Sequence, residues 1–247
     1  MSLKELRSGA ILIADSHYGP WRTPFIDFLR AIDQEDIKTS QLILMGDNVD
    51  LLFGPIDATL RLNHEIITLL NSLSVKIEII YLEGNHDFCL APLFPNITIV
   101  PRTKQPLMML YGAQKIALLH GDMVAPFGYE MYTALIRNRL LLYGLNWIND
   151  TFGGFIMKRL IAQMKRKNHC NSIDDFRLIA HRHKDQKWIM HCDILIEGHY
   201  HQNQSFDFET YRYINLGAFA CNERYYVVKS SQKKIVLDEA MFHKEPK

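Results

Sequence analysis

The chain has 247 residues, of which 48% are hydrophobic and 22% are charged, and its formal net charge is +1. This composition is that of a globular protein with a buried core, and it excludes a disordered chain or one with a global electrostatic bias towards nucleic acid. The sequence contains neither a run of roughly 18 apolar residues that could span a bilayer nor an apolar segment of signal-peptide length near its start. We therefore expect a cytoplasmic protein with a single domain over residues 1–247, whose membrane contacts would be peripheral.

Three apolar segments alternate with two helical patterns in the first part of the chain. Residues 10–14, 41–45 and 77–82 are predicted strands, and residues 23–33 and 60–73 are predicted helices. This order is typical of an α/β fold built in layers. In such folds, ligands gather at the carboxyl ends of the strands.

Further strands are predicted after the third apolar segment. Residues 92–106 contain several prolines and are predicted to form a loop with a short strand, whereas residues 115–119 and 193–196 are predicted buried strands. The alternation near the end of the chain predicts antiparallel strands at residues 204–208, 211–216, 225–229 and 234–237.

A helical insertion is predicted between these two groups of strands, over about residues 126–188. Amphipathic patterns cover residues 129–143 and 155–167. Residues 126–187 contain eleven Lys or Arg and five Asp or Glu, so the insertion is basic although the whole chain is nearly neutral. Such helices could simply cap the core, or they could form a lid over a site.

The four cysteines show neither a CxxC pair nor a compact framework, and they are Cys89, Cys170, Cys192 and Cys221. We expect them to be reduced thiols of a cytosolic protein.

Polar residues follow nearly every buried strand, and they offer carboxylate, imidazole and amide groups without thiolate. These residues are Asp15, His17, Asp47, Asn85, His86, His120, His199 and His201. Oxygen and nitrogen ligands favour Mn²⁺, Fe or Zn²⁺ over a cysteine-bound structural zinc. Each short motif alone could be a turn or a helix cap, but together they predict a site for two ions, with one bridging carboxylate.

The motifs resemble those of the calcineurin-like metallophosphoesterase superfamily. The matching blocks are Asp15-x-His17, Gly46-Asp47-x-x-Asp50, Gly84-Asn85-His86-Asp87, His120-Gly121-Asp122 and Gly198-His199-x-His201. The resemblance implies a four-layer α/β/β/α sandwich around two divalent ions, for which Mn²⁺ is our first choice and Fe or Zn²⁺ the alternatives. It assigns Asp15, His17, Asp47 and His201 to the first ion, and Asp47, Asn85, His120 and His199 to the second.

Two of these residues are the predicted catalytic residues. Asp47 would bridge the ions, and His86 would bind a phosphoryl oxygen or protonate the leaving group. Asp50 and Asp122 would orient ligand histidines or backbone groups.

The helical insertion resembles that of the UDP-2,3-diacylglucosamine pyrophosphohydrolases of bacterial lipid A synthesis. This resemblance implies a lipid-linked nucleotide-sugar substrate, no nucleic-acid partner, and a position at the cytoplasmic face of the inner membrane. Arg137, Arg159 and Arg182 would then join His86 in binding the substrate, and apolar helix faces would line an acyl-chain pocket.

One residue departs from the pattern of that family. His86 occupies the position after the asparagine, where those enzymes typically have Arg. A phosphatase or phosphodiesterase for a nucleotide or a phosphoprotein therefore remains an alternative, and a non-catalytic scaffold is a third. The intact ligand motifs argue against the scaffold.

Overall fold

The computed structural model describes residues 3–123, 127–231 and 234–242, which contain eight α-helices and fourteen strands. The helices are α1 (Pro24–Asp33), α2 (Asp57–Leu62), α3 (His64–Lys76), α4 (Phe127–Ile136), α5 (Arg139–Thr151), α6 (Phe155–Arg166), α7 (Phe176–Ala180) and α8 (Phe219–Asn222). The strands are β1 (Lys4–Glu5), β2 (Ile11–Ile13), β3 (Gln41–Leu44), β4 (Leu52–Phe53), β5 (Glu78–Leu82), β6 (Asp87–Phe88), β7 (Thr98–Val100), β8 (Leu107–Tyr111), β9 (Gln114–Leu119), β10 (Ile194–Glu197), β11 (Gln204–Asp207), β12 (Arg212–Asn215), β13 (Arg224–Ser231) and β14 (Lys234–Met241).

Most strands belong to two six-stranded sheets. The first sheet has the order β14-β13-β2-β3-β5-β7, and the second has the order β1-β8-β9-β10-β12-β11. Strands β2, β3, β5 and β7 are parallel to one another, as are β9, β10 and β12. Parallel strands bring their carboxyl ends to one edge, and this happens in both sheets.

Side-chain alternation explains why the two sheets stack. In β2, Ile11 and Ile13 pack against the helices, whereas Leu12 points towards the second sheet, where it shares a core with Ile116 and Ile196. Since side chains alternate along a strand, each central strand of the first sheet contributes to two apolar layers. Helices α1, α3 and α8 cover the outer face of the first sheet, and α7 covers the second. The predicted four-layer α/β/β/α fold is confirmed.

The helix predicted over residues 60–73 is wrong as a single element. The chain instead forms α2 and α3, which meet at Asn63, a buried residue outside both helices. The Asn63 amide donates hydrogen bonds to the carbonyls of Leu51 (2.7 Å) and Thr59 (2.9 Å). A buried amide that bonds to backbone in this way competes with helix continuation, and hydrophobic spacing alone does not reveal it.

Helices α4 to α7 lie within the predicted insertion, whose predicted first residue, Pro126, is outside the described residues. The helix predicted over residues 129–143 is two helices, because α4 ends at Ile136 and Asn138 caps the start of α5. Its side chain accepts hydrogen bonds from the backbone N–H groups of Leu140 and Leu141 at the start of α5. Asparagine is a preferred residue at this position.

The last four strands do not form one antiparallel sheet as predicted. Strands β11 and β12 are antiparallel to each other in the second sheet, whereas β13 and β14 form an antiparallel pair in the first. Strand β8, which forms an antiparallel pair with β9, was not predicted from the sequence.

Among the described residues, no helix has the length and apolarity needed to cross a bilayer.

Candidate metal centre

The seven predicted metal ligands follow parallel strands of both sheets. Asp15 and His17 follow β2, Asp47 follows β3, Asn85 follows β5, His120 follows β9, and His199 and His201 follow β10. Because the carboxyl ends of these strands meet at one edge, the two sheets present their polar residues to the same space.

Five of the seven ligand candidates have left-handed backbone conformations. The φ angles are 53° at Asp15, 46° at His17, 51° at Asp47, and 63° at both His199 and His201. A residue other than glycine in this region costs on the order of 1–3 kcal/mol, and such residues cluster at functional sites. The turns after β2, β3 and β10 thus carry backbone strain at these five ligand candidates.

One half of the centre consists of Asp47, Asn85, His120 and His199. The Nε2 atom of His120 lies 3.3 Å from Asn85 Oδ1 and 3.5 Å from Asp47 Oδ2, while its Nδ1 donates to the carbonyl of Met45 at 3.1 Å. Donor atoms of Asp47, His120 and His199 all lie within 4.8 Å of one another. Burial alone would lower the pKa of His120, but the Asp47 carboxylate outweighs it and raises this pKa to about 10. The pocket therefore favours a positive charge.

The other half consists of Asp15, His17 and His201. His201 Nε2 lies 3.1 Å from Asp15 Oδ1, and Asp15 Oδ2 accepts the backbone N–H of His199 at 2.9 Å. His17 Nδ1 donates to Asp50 Oδ1 at 2.9 Å, which directs Nε2 into the site. That Nε2 atom is buried and has no hydrogen-bond partner. An imidazole that donates to a carboxylate on one side and has a free lone pair on the other is the usual arrangement of a metal ligand. These residues fit a divalent cation.

Asp87 supports the strand ends without facing the centre. Its fully buried carboxylate accepts the backbone N–H groups of Asp47 (3.0 Å), Asn48 (2.7 Å) and Gly84 (2.9 Å), and the hydroxyl of Tyr81 (2.6 Å). Burial, together with the Asp47 charge, raises the pKa of Asp87 to about 7. The side chain thus joins the turn after β3 to the turn after β5.

His86 lies beside the centre and is fixed at both ring nitrogens. Its Nδ1 donates to the carbonyl of Asp50 at 2.9 Å, and its Nε2 accepts from Lys167 Nζ at 2.9 Å. Burial lowers the pKa of His86, and the Lys167 ammonium lowers it further despite the opposing Asp47 charge. The neutral imidazole therefore holds a cation of the insertion next to Asn85.

The three predicted arginines lie in different environments. Arg137 Nη2 donates to the carbonyl of Gly84 (2.9 Å) and contacts Asp122 Oδ2 (3.3 Å), so it lies next to the centre. Arg159 and Arg182 are exposed and form no hydrogen bond or ion pair with the described residues of the centre. Asp122 pairs with Arg102 and Arg137, whereas Asp50 accepts a hydrogen bond from His17, a predicted ligand.

His169, which follows α6 in the insertion, was not among the ligands predicted from the sequence. Its ring lies against that of His17, with centroids 3.8 Å apart, and donor atoms of His17, His169 and His201 lie within 4.8 Å of one another. Burial and the positive charge of Arg22 lower the pKa of His169 to about 3. No strand precedes this histidine, so the pattern that predicted the seven ligand candidates was absent.

The expectation of four reduced cysteines is wrong. Cys170 and Cys221 form a disulfide, whereas Cys89 and Cys192 are free. The two bonded cysteines are 51 residues apart in the sequence and 5.6 Å apart between Cα atoms. Their pairing depends on how the insertion packs on α8, and cysteine spacing does not reveal that.

Comparison with known proteins identifies the family of this chain. The family model described as calcineurin-like phosphoesterase matches residues 10–209. A protein named UDP-2,3-diacylglucosamine hydrolase, from Vibrio atlanticus (strain LGP32), is 23% identical over 195 residues, which cover 77% of this chain and 79% of that protein. A protein of the same name from Yersinia pseudotuberculosis serotype O:1b (strain IP 31758) is 27% identical over 168 residues, which cover 66% and 67%.

Among solved structures, the phosphoesterase Yfce from E. coli matches with 14% identity and a TM-score of 0.46, over 95% of this chain and 99% of that one. The family match extends over most of the chain and over all seven ligand candidates. The chain belongs to the calcineurin-like phosphoesterase family.

Proposed function

We propose that this metal-dependent phosphoesterase hydrolyses UDP-2,3-diacylglucosamine to 2,3-diacylglucosamine 1-phosphate and UMP. Two bound divalent ions would supply an activated water and would neutralise charge on the phosphate oxygens. The ligands assigned to them are Asp15, His17, Asp47, Asn85, His120, His199 and His201, with Asp47 shared. The names of the curated relatives support this substrate.

The observation that carries the proposal is an apolar cavity beside the metal centre. The cavity has a volume of about 550 Å³ and lies between helices α5 and α6 and the loops after β3 and β5. Its walls include Leu142, Met157, Leu160 and Met164, and its polar end is formed by Asn85, His86 and Lys167. A soluble phosphoester needs no such space, whereas an acyl chain attached to a phosphorylated sugar would bury apolar surface there.

The polar end of the cavity gives His86 a role in binding. Because its Nε2 accepts a hydrogen bond from Lys167, His86 would act by placing that ammonium group against a phosphate oxygen. Arg137 adds a second cation close by, and its Nε and Nη1 atoms have no partner among the described residues. We propose that Lys167 and Arg137 bind the pyrophosphate from the side of the insertion.

The outer surface of the insertion fits contact with a membrane. Leu140, Trp147 and Phe152 are 82%, 68% and 64% exposed, and they lie on or directly after α5. Exposed basic residues of α6 lie in the same insertion, namely Lys158, Arg159, Lys165 and Arg166. Apolar and basic residues side by side are the composition of a peripheral contact with anionic lipid. We propose that the enzyme works at the cytoplasmic face of the inner membrane.

The test is the release of UMP from UDP-2,3-diacylglucosamine in detergent micelles, compared with hydrolysis of bis-p-nitrophenyl phosphate under the same metal conditions. We expect rapid UMP release and slow cleavage of the small ester. No UMP release from a preparation that cleaves the small ester well would contradict the proposal and would favour another phosphoester. The histidine at position 86, where the lipid A enzymes typically have Arg, makes that second outcome the main alternative.

A variant that fills the cavity separates a substrate pocket from a structural gap. Met164→Trp places a large side chain in the cavity wall, and Met190→Trp makes the same change at a residue that is 81% exposed. We expect Met164→Trp to lower kcat/KM for the lipid substrate by about tenfold or more and to leave the small ester unaffected. An equal loss on both substrates would mean that the cavity only supports the fold.

A further inference from the structure

His169 belongs to the helical insertion, yet its side chain reaches the metal centre. Its ring packs on that of the predicted ligand His17, with centroids 3.8 Å apart, and lies 6.1 Å from the ring of His201. One donor atom from each of these three histidines lies within 4.8 Å of the other two. Such a spacing allows all three to contact one ion.

The hydrogen bonding of His169 is incomplete in a way that points to a cation. The residue is 5% exposed, and neither Nδ1 nor Nε2 has a hydrogen-bond partner. The Nε2 atom of His17 beside it is also buried and without a partner. Leaving a buried polar group unpaired costs about 1–3 kcal/mol, so two adjacent imidazoles would not remain unpaired without compensation. A cation between them would accept a lone pair from each.

We propose that His169 is an additional ligand of the first metal ion, alongside Asp15, His17, Asp47 and His201. This inference goes beyond the proposed substrate, because it concerns the metal centre and holds for any phosphoester. It also gives the insertion a direct bond to the centre, in addition to its contacts with the cavity.

The backbone around His169 is fixed on both sides. Its carbonyl accepts a hydrogen bond from His201 Nδ1, which directs His201 Nε2 towards Asp15. The next residue, Cys170, is covalently bonded to Cys221 at the end of α8. The disulfide thus ties the segment with His169 to the body of the protein, and it reduces the freedom that this segment would lose on binding metal.

A third imidazole changes the chemistry of the first ion. Three imidazoles and two carboxylates form a donor set richer in nitrogen than that of the second ion. Imidazole suits Fe and Zn²⁺, whereas carboxylate and amide oxygens suit Mn²⁺. The two ions should therefore differ in affinity and in metal preference.

The test is a titration of metal-free protein with Mn²⁺. Calorimetry measures the affinity of each binding event, and pulsed electron paramagnetic resonance detects the nitrogen atoms bound to Mn²⁺. His169→Phe keeps a ring to pack on His17 but removes both nitrogens. The matched control is His191→Phe, at an exposed residue that follows the insertion. We expect His169→Phe to weaken one of the two binding events by about tenfold or more and to remove one imidazole nitrogen coupling, with the second event unchanged.

Two further variants keep the result decisive if the phenylalanine distorts the fold. His169→Ala should weaken the same event, and His169→Asp should recover part of the affinity because a carboxylate can replace the imidazole. Wild-type affinity and unchanged nitrogen couplings in both His169→Phe and His169→Ala would overturn the proposal. No substrate is present in these measurements, so a negative assay with the lipid substrate would not affect them.

The role of the disulfide is tested by Cys221→Ser in two backgrounds. If the disulfide positions His169, Cys221→Ser weakens the same metal-binding event that His169→Phe weakens. In the His169→Phe background, Cys221→Ser then has no further effect on that event. An equal effect in both backgrounds would show that the disulfide acts elsewhere.

Discussion

The carboxylate of Asp87 accepts a hydrogen bond from the backbone N–H of Asp47 at 3.0 Å. These residues follow neighbouring strands, so one side chain holds two of the turns that carry the proposed metal ligands. Asp87 forms similar bonds with Asn48 and Gly84. Its carboxylate therefore holds the two turns in place through hydrogen bonds to their backbone.

We predict that Asp87→Ala lowers both stability and metal binding. The substitution leaves buried backbone N–H groups without an acceptor, and the free energy of unfolding should fall by about 3 kcal/mol or more. Urea denaturation measures this loss, and metal analysis of the purified protein measures the second effect. The control is Asp36→Ala, at an exposed residue, which should change neither. A stable, fully metal-loaded Asp87→Ala protein would contradict the role given to this carboxylate.

Gly84→Ala should remove activity because there is no room for a side chain. A Cβ atom at this position would lie 2.2 Å from Asp47 Oδ1 and 2.4 Å from Asp47 N. The turn would have to move away from Asp47, which displaces both Asp47 and Asn85. Gly144→Ala is the matched control, since a Cβ there meets no atom within 4 Å. The rate of bis-p-nitrophenyl phosphate hydrolysis is compared between Gly84→Ala and Gly144→Ala. Equal rates would show that the turn at Gly84 accommodates a side chain without displacing Asp47.

Asp47→Ala and His120→Ala should each lower kcat by more than about a hundredfold, because both residues contribute donor atoms to the same half of the centre. Chelation by EDTA should abolish activity of the wild-type protein, and added Mn²⁺ should restore it. Neither variant should recover to the wild-type rate at the same Mn²⁺ concentration. A wild-type rate in either variant would show that the ligand assignment is wrong.

The rate at which each cysteine reacts with a thiol-labelling reagent should depend on its burial and on whether it belongs to the disulfide. Without reductant, Cys89 and Cys192 are the two free thiols, and burial raises the pKa of both, that of Cys192 to about 11. The thiolate is the reactive form, so labelling of Cys192 should be slow at pH 7 and accelerate about tenfold per pH unit up to its pKa. Mild reduction should add two rapidly reacting thiols, those of the exposed residues Cys170 and Cys221. Rapid labelling of Cys170 and Cys221 without reductant would exclude the disulfide.

The sequence predicts the layered fold and the turns of the metal centre for one physical reason. Each predicted strand is an apolar run that ends in a polar cluster, and the same edge of a parallel sheet collects those clusters. Asp15, Asp47 and His120 follow this pattern, and their assignment needs no knowledge of side-chain packing. Local hydrophobic spacing was also sufficient to predict helices α1 and α6.

Other features depend on tertiary packing and could not be predicted in this way. The break at Asn63 requires the carbonyl of Leu51 to lie nearby, and the disulfide requires the insertion to approach α8. His169 lies in a segment without a strand, and only the packing of that segment brings it to His17. The disulfide and the position of His169 are thus both set where the insertion meets the body.

The hydrogen bond between Asp15 and His199 joins residues 184 positions apart, one after a strand of each sheet. During synthesis, the ribosome releases Asp15, His17 and Asp47 long before the histidines that complete their surroundings. A nascent chain that ends before Asn85 has two carboxylates and one imidazole of the donor set, but not its other members. Long-range contacts of this kind form late in folding. Metal uptake would therefore follow the docking of the second sheet, and a loaded centre marks a chain that has finished folding.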